Sequence, residues 1–490
     1  MSENTKTSNN QSSGGVFKSL FWKFAERCGV QLSSFVVSVV LARILAPDDY
    51  GILSMLIVFT TIAQVFVQGG LGTALIQKKE VSEQEYSGVF YVSLLIATGI
   101  YVVLFFASPF VADFFEMPQI ENTLRIIAIT LFFGAFSTVL NALFVKKMQF
   151  SRLFICNLAG SILSGIVGIA MAYAGYGVWA LVFQQVLNQG LACIFMGIML
   201  RWRPKGPASV KKVGALIKYG YKIMVANLIS TTYNELRSIV IGKKFDSAAL
   251  AYYDKGKQIP NLVITNLNNT IDTVMLPVYS SAQNDPERMK QMLRRSMKMS
   301  SFFIFPVLVG LCVVAEPLVS VVLTDKWLPC VPFLIINALI YGLAPLQTAN
   351  AQVINAMGRS EIFLKLEIIK KTLGICILAI TVVFCDEVIH IAYGGLVIAV
   401  LSSVINMFPN TKLLKYSYWE QMKDFLPALI LSGIMGMCAW SVSLVAKGNN
   451  FILLFAQAVV GGIVYLALAH ITKNDSYMYV LGMVKKFLKK

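Results

Sequence analysis

Lys23, Arg27, Gln31, Ser34 and Ser38 fall within about 80° of one another on a helix that advances ~100° per residue. Further along, Lys218, Lys222, Tyr233 and Arg237 share about 100° of arc and spread over more than ~20 Å of axial rise. Both stripes interrupt apolar sequence, and the chemistry open to both is charge-assisted hydrogen bonding to an anion. Arginine presents a planar fork that meets a phosphate with two parallel bonds, which ranks Arg27 and Arg237 above most of the lysines. Lys257, in the Asp254, Lys255 and Lys257 cluster, is a further candidate. Each has a plainer reading. Lys23 and Lys218 lie near helix starts, where long side chains snorkel to headgroups; Arg237 can pair with Glu235 or with lipid; and the Asp254 cluster reads as a solvated helix start.

Carboxylates inside apolar runs suggest a second chemistry. Glu26, Glu235, Asp272 and Glu316 lie in segments where a fixed charge costs at least ~2.5 kcal/mol unless it is paired or faces a cavity. Asp272 sits in NLNNTIDTVMLP, a composition ill suited to face lipid. It can carry a proton or bind sodium, or it has a fixed internal partner. Asp272, Glu26 and Glu235 are the candidates for coupling to an H+ or Na+ gradient.

Other chemistries lack their residues. The eight cysteines are scattered without a CxxC pair, and His390 and His470 stand far apart, so neither a metal site nor a disulfide framework is expected. No GxxxxGK[ST] loop and no DxD cluster occurs. No cofactor is expected, and catalysis is the minor alternative: a membrane polysaccharide polymerase or glycosyltransferase.

The elements that must position these groups are about fourteen apolar runs, each near the ~20 residues needed to cross ~30 Å of hydrocarbon, from Phe24 to Ile471. Hydrophobic residues make up 57% of the 490 and charged residues 14%, against about 25% in a soluble domain; mean hydropathy is +0.68. The net charge of +17 concentrates in alternate connectors: Lys146, Lys147 and Arg152; Arg201, Arg203 and Lys205; Arg288 to Lys298; and the tail beyond Lys473. This positive-inside bias puts both termini in the cytoplasm and makes anionic headgroups, not nucleic acid, the partner of the charge.

The expected organisation is all-α. A disordered polar tail (1–15) precedes an N-lobe of six helices (16–200), and the connector 201–213, RWRPKGPASVKK and Val213, carries two prolines and a glycine as a linker. A C-lobe of six helices (214–412), two more helices (413–472) and a basic tail (473–490) follow. LARILAPDDYG after the first run and IVIGKKFDSAALAYYDKG after the seventh echo one another, as in a parallel pseudo-repeat.

LARILAPDDYG (41–51), FVQGGLGTALIQKK (66–79), LAYYDKGKQIP (250–260) and MLPVYSSAQND (275–285) resemble the Wzx-type polysaccharide flippases of the multidrug/oligosaccharidyl-lipid/polysaccharide exporter superfamily, in the branch of the colanic acid and teichuronic acid exporters. The likeness runs in order over almost the whole chain. It implies a bacterial inner-membrane protein with two six-helix lobes, two extra C-terminal helices and a central cavity that alternates between the two sides. The implied cargo is an undecaprenyl-pyrophosphate-linked oligosaccharide for exopolysaccharide, capsule or O-antigen synthesis, passed on to the polymerase machinery. A lipid II flippase and a multidrug antiporter of the same superfamily are the alternatives within transporters.

Overall fold

The computed structural model describes residues 29–205, 210–280, 282, 285–445 and 448–488. Among the described residues every regular element is helical. The chain divides into two compact units, one ending at Ala251 and the other beginning at Tyr252.

The first unit holds α1 (Gly29–Ile44), α2 (Pro47–Gln68), α3 (Leu71–Gln77), α4 (Glu83–Phe115), α5 (Gln119–Ile127), α6 (Thr130–Lys146), α7 (Phe150–Tyr173), α8 (Val178–Leu200) and α9 (Val210–Lys244). Local chemistry sets their ends. Pro47 opens α2 with its fixed φ, and the Asp49 carboxylate accepts from the Ala46 N–H at 3.2 Å. Glu85 does the same for Ser82 at 2.9 Å, closing a capping box on α4. Gly69 and Gly70 (φ +51° and +65°) separate α2 from α3, because two successive left-handed residues cannot continue a right-handed helix.

Small residues let the helices approach. A Cβ on Gly160 would sit 3.0 Å from the Ala192 nitrogen across α7 and α8, and one on Gly168 would meet Gln184 at 2.7 Å. Ser34, grouped in sequence with the first cationic stripe, lies with its hydroxyl 3.3 Å from that of Ser161 on α7, so it serves helix packing. Outward from the core, α4 exposes Leu95, Val103, Phe106 and Phe110, the surface a hydrocarbon solvent would cover.

The second unit holds most of α10 (Ser247–Ser280), then α11 (Pro286–Val313), α12 (Ala315–Val322), a 3-10 turn (Asp325–Cys330), α13 (Val331–Gly342), α14 (Ala344–Ala356), α15 (Ser360–Phe384), α16 (Val388–Leu413), α17 (Tyr418–Val445), α18 (Asn450–Ile471) and α19 (Asp475–Leu488). Met289, Leu293, Met297, Phe305, Leu346 and Phe425 build the core between α11, α14 and α17. A buried amide chain ties three helices: Asn410 Nδ2 donates to Asn350 Oδ1 at 2.7 Å, and Asn350 Nδ2 donates to Gln421 Oε1 at 3.0 Å.

Ten stretches among the described residues are long and apolar enough to cross a membrane. This is a multi-pass membrane protein. Helices α9, α10 and α15, with 35, 34 and 25 residues, have the length but carry too many polar and charged side chains to qualify by composition. The most polar long helices are thus two of those that carry the candidate site residues. One expectation changes. Helix α10 begins at Ser247, so Asp254, Lys255 and Lys257 lie two to three turns inside it rather than at its start. Lys255 is buried at 6% exposure, its Nζ donating to Gln258 Oε1 at 3.2 Å and 5.6 Å from the centre of the Trp327 ring. That is not a solvated helix start.

Candidate functional site: the cationic face of α9

Helix α9 has one face built for packing. Its backbone touches that of the α2–α3 turn: a Cβ on Gly70 would lie 2.5 Å from the Gly220 carbonyl oxygen, and one on Gly220 would lie 2.7 Å from that of Gly69. Leu216 enters the core formed by Leu71, Leu75, Tyr86 and Val89, and Tyr219 donates to Gln77. At the far end the start of α10 closes on α2. Ser247 Oγ donates to Asp48 Oδ1 at 2.6 Å, and Gly51 leaves no room for a side chain beneath the Ser247 carbonyl. Lys243 pairs with Glu116 at 2.9 Å and holds that carboxyl below its ordinary range.

The opposite face carries the cations. Lys218 and Lys222 are exposed one turn apart, in line with exposed Val225 and Ile229 at helical spacing. Arg237 is half-buried fifteen residues beyond Lys222, ~22 Å along the axis. None of the three makes an ion pair among the described residues. The pairing of Arg237 with Glu235 that adjacency suggests is absent, since residues two apart point to different sides of a helix; Glu235 is half-buried and engaged elsewhere.

The other candidates lie on other helices or outside the described residues. Lys23, Glu26 and Arg27 lie outside the described residues. Lys257 is half-buried on α10 and already engaged. Asp272 belongs to α10, with its side chain outside the described residues. Nearby, Asn266 Nδ2 donates to the Leu262 carbonyl at 3.0 Å, so this asparagine serves its own helix. Glu316 is exposed in the first turn of α12, where the helix dipole favours a carboxylate.

Reading the sequence missed the ion network of the second unit. Arg294 meets Asp424 with two bonds of 2.6 and 3.0 Å, Tyr416 donates to the same carboxylate at 2.7 Å, Lys290 pairs with Glu420 at 3.1 Å, and Lys298 pairs with Asp475 at 2.9 Å. These cations had been visible only as connector charge. Their spacing of four along α11 was the available signal.

Comparison with known proteins bears on the chain as a whole. A family described as polysaccharide biosynthesis protein matches residues 40–332. The teichuronic acid biosynthesis protein TuaB of Bacillus subtilis (strain 168) is 23% identical over 389 residues, covering 79% of this chain and 80% of its own. The succinoglycan biosynthesis transport protein ExoT of Rhizobium meliloti (strain 1021) is 22% identical over 491 residues, covering 96% of both. Among solved structures, the lipid II flippase MurJ in its inward closed conformation superimposes with a TM-score of 0.75 at 16% identity, over 92% of this chain and 99% of that one, a shared fold. With more than half its length matched by that family, the chain belongs to the family described as polysaccharide biosynthesis protein.

Proposed function

We propose that this protein is a secondary flippase that moves undecaprenyl-pyrophosphate-linked oligosaccharide repeat units across the bacterial inner membrane by alternating access. The observation that supports the reading is the α9 face: Lys218, Lys222 and Arg237 without carboxylate partners among the described residues, on a helix whose other side is locked against α2 and α3. A cation kept in or beside apolar surroundings without a protein counter-ion is suited to a ligand that brings the negative charge, and a diphosphate brings it. Family membership supports a polysaccharide precursor as cargo.

In this reading fourteen helices form two six-helix lobes joined at 201–213, with two helices following, both termini on the cytoplasmic side, and Lys23 and Arg27 joining the α9 cations in the cavity. The sugar diphosphate enters from the cytoplasm while the polyprenyl tail stays in lipid. Lys257 contacts the headgroup, and Asp272, Glu26 and Glu235 exchange the coupling H+ or Na+.

Deletion of the gene, followed by mass analysis of lipid-linked sugars, tests the cargo. The expected result is accumulation of an undecaprenyl-pyrophosphate oligosaccharide that returns to baseline when the gene is restored. Accumulation of lipid II instead would assign the peptidoglycan precursor, and an unchanged lipid-linked pool would end the flippase reading.

A further inference from the structure

A second cationic cluster of the first unit borders a groove. A groove of about 780 Å³ opens between α6 and α8, walled by Phe133, Phe136, Leu140, Ile194 and Ile198. Its mouth is formed by Arg201, Trp202 and Arg203, just beyond the end of α8. From Cys193 to Arg201 is eight residues, so the groove follows α8 for ~12 Å.

The mouth is held in place. Trp202 Nε1 donates to Glu83 Oε2 at 3.1 Å and its ring meets Phe90 edge-on at 6.0 Å. Ser87 Oγ accepts from the Lys205 N–H at 2.9 Å, strapping the connector to the start of α4. Arg201 caps α8 at φ +50°, a left-handed position that glycine normally fills. Arg201 and Arg203 are both exposed, and neither has an ion-pair partner among the described residues.

We propose that this groove binds one anionic phospholipid of the cytoplasmic leaflet, with the phosphate at Arg201 and Arg203 and an acyl chain between α6 and α8. Two features select this occupant. The walls are apolar and aromatic on a membrane-facing surface where Ile194 and Ile198 are 53% and 65% exposed, which suits hydrocarbon. The mouth is doubly cationic and lies on the side to which the charge bias assigns the connector, which suits a leaflet anion over a zwitterion. The strap fixes both arginines at the end of the groove, so headgroup and chain are engaged together.

Native mass spectrometry of the full-length protein in detergent, with phosphatidylglycerol, phosphatidylethanolamine or undecaprenyl phosphate added separately, tests this site. Arg201→Gln should weaken phosphatidylglycerol binding about fivefold and the double variant with Arg203→Gln about twenty-fivefold, with phosphatidylethanolamine unaffected. Gly197→Phe fills the groove; a Cβ at Gly197 meets nothing within 4 Å, so the helix tolerates the change. It should reduce binding of both phospholipids. Wild-type phosphatidylglycerol binding by the double glutamine variant, undiminished binding by the Gly197 variant, or retention of undecaprenyl phosphate alone would each overturn the proposal.

Discussion

Helices α9 and α11 both carry rows of cations, and they use them in opposite ways. On α11 each of Lys290, Arg294 and Lys298 meets a carboxylate: Glu420 at 3.1 Å, Asp424 at 2.6 Å and Asp475 at 2.9 Å. The residues bridged are 130, 130 and 177 positions apart, so this row clamps α11 to α17 and α19. On α9 the row Lys218, Lys222 and Arg237 meets no carboxylate among the described residues, although the same helix spends its last turn on an ion pair with Glu116. Charge that is matched within the chain holds helices together; charge left unmatched along a helix is available to a ligand. The same residue types therefore serve structure on α11 and, in the proposed function, recognition on α9.

That contrast breaks most visibly at α9. Replacing Lys218, Lys222 and Arg237 together by alanine should cut export by at least about a hundredfold, since each charge-assisted contact to a diphosphate is worth roughly 1.5–3 kcal/mol. Polysaccharide output and lipid-linked oligosaccharide accumulation read the effect, with protein level and melting temperature unchanged because no ion pair among the described residues is lost. Normal output from the triple variant would place recognition elsewhere.

The α11 row should show the reverse signature. Asp424→Ala removes an acceptor 3% exposed that serves Arg294, Tyr416 and, at 3.6 Å, Lys298. Breaking a fully buried pair costs ~3–5 kcal/mol; with Arg294 40% exposed, a loss of about 2–3 kcal/mol is expected. Thermal unfolding in detergent should move accordingly, and export per folded molecule should hold. A stable Asp424 variant that fails to export would give α11 a functional role and erase the contrast.

A smaller effect separates bidentate from point-charge recognition. Arg237→Lys keeps the charge and loses the fork, so export should fall by about tenfold from wild type while staying above that of Arg237→Ala. Equal activity of the lysine variant and wild type would make Arg237 a simple electrostatic contact.

Much of this division was legible in the sequence, for reasons that differ by region. The apolar runs announced a membrane protein, and the stripe on α9 followed from helical periodicity alone, because both depend on residues close in the chain. The partners of α11 were not legible: Asp424 is 130 residues from Arg294, and nothing local marks it as an acceptor. Lys255 was misread because the Asp254 to Lys257 run looks like a polar helix start, whereas α10 begins seven residues before Asp254 and the 3-10 turn supplies Trp327 and Cys330 to cover the lysine. The break at Gly69 and Gly70 was visible as a glycine pair, but its purpose, contact with the backbone at Gly220, needs the fold.

The smallest expected effect tests whether matched charge stabilises in proportion to its burial. Lys298 pairs with Asp475, whose side chain is 80% exposed, and reaches Asp424 only at 3.6 Å behind Arg294. Exposed pairs contribute ~0–1 kcal/mol and are screened within a Debye length of about 8 Å at physiological ionic strength. Lys298→Ala should therefore destabilise by less than about 1 kcal/mol, and the difference from wild type should shrink when unfolding is repeated at high salt. The Asp424→Ala deficit should persist there, because a carboxylate only 3% exposed is screened little by salt. If Lys298→Ala proved as damaging as Asp424→Ala, the clamp would act as one cooperative network across α11, α17 and α19, and its stability could not be assigned to the buried carboxylate alone.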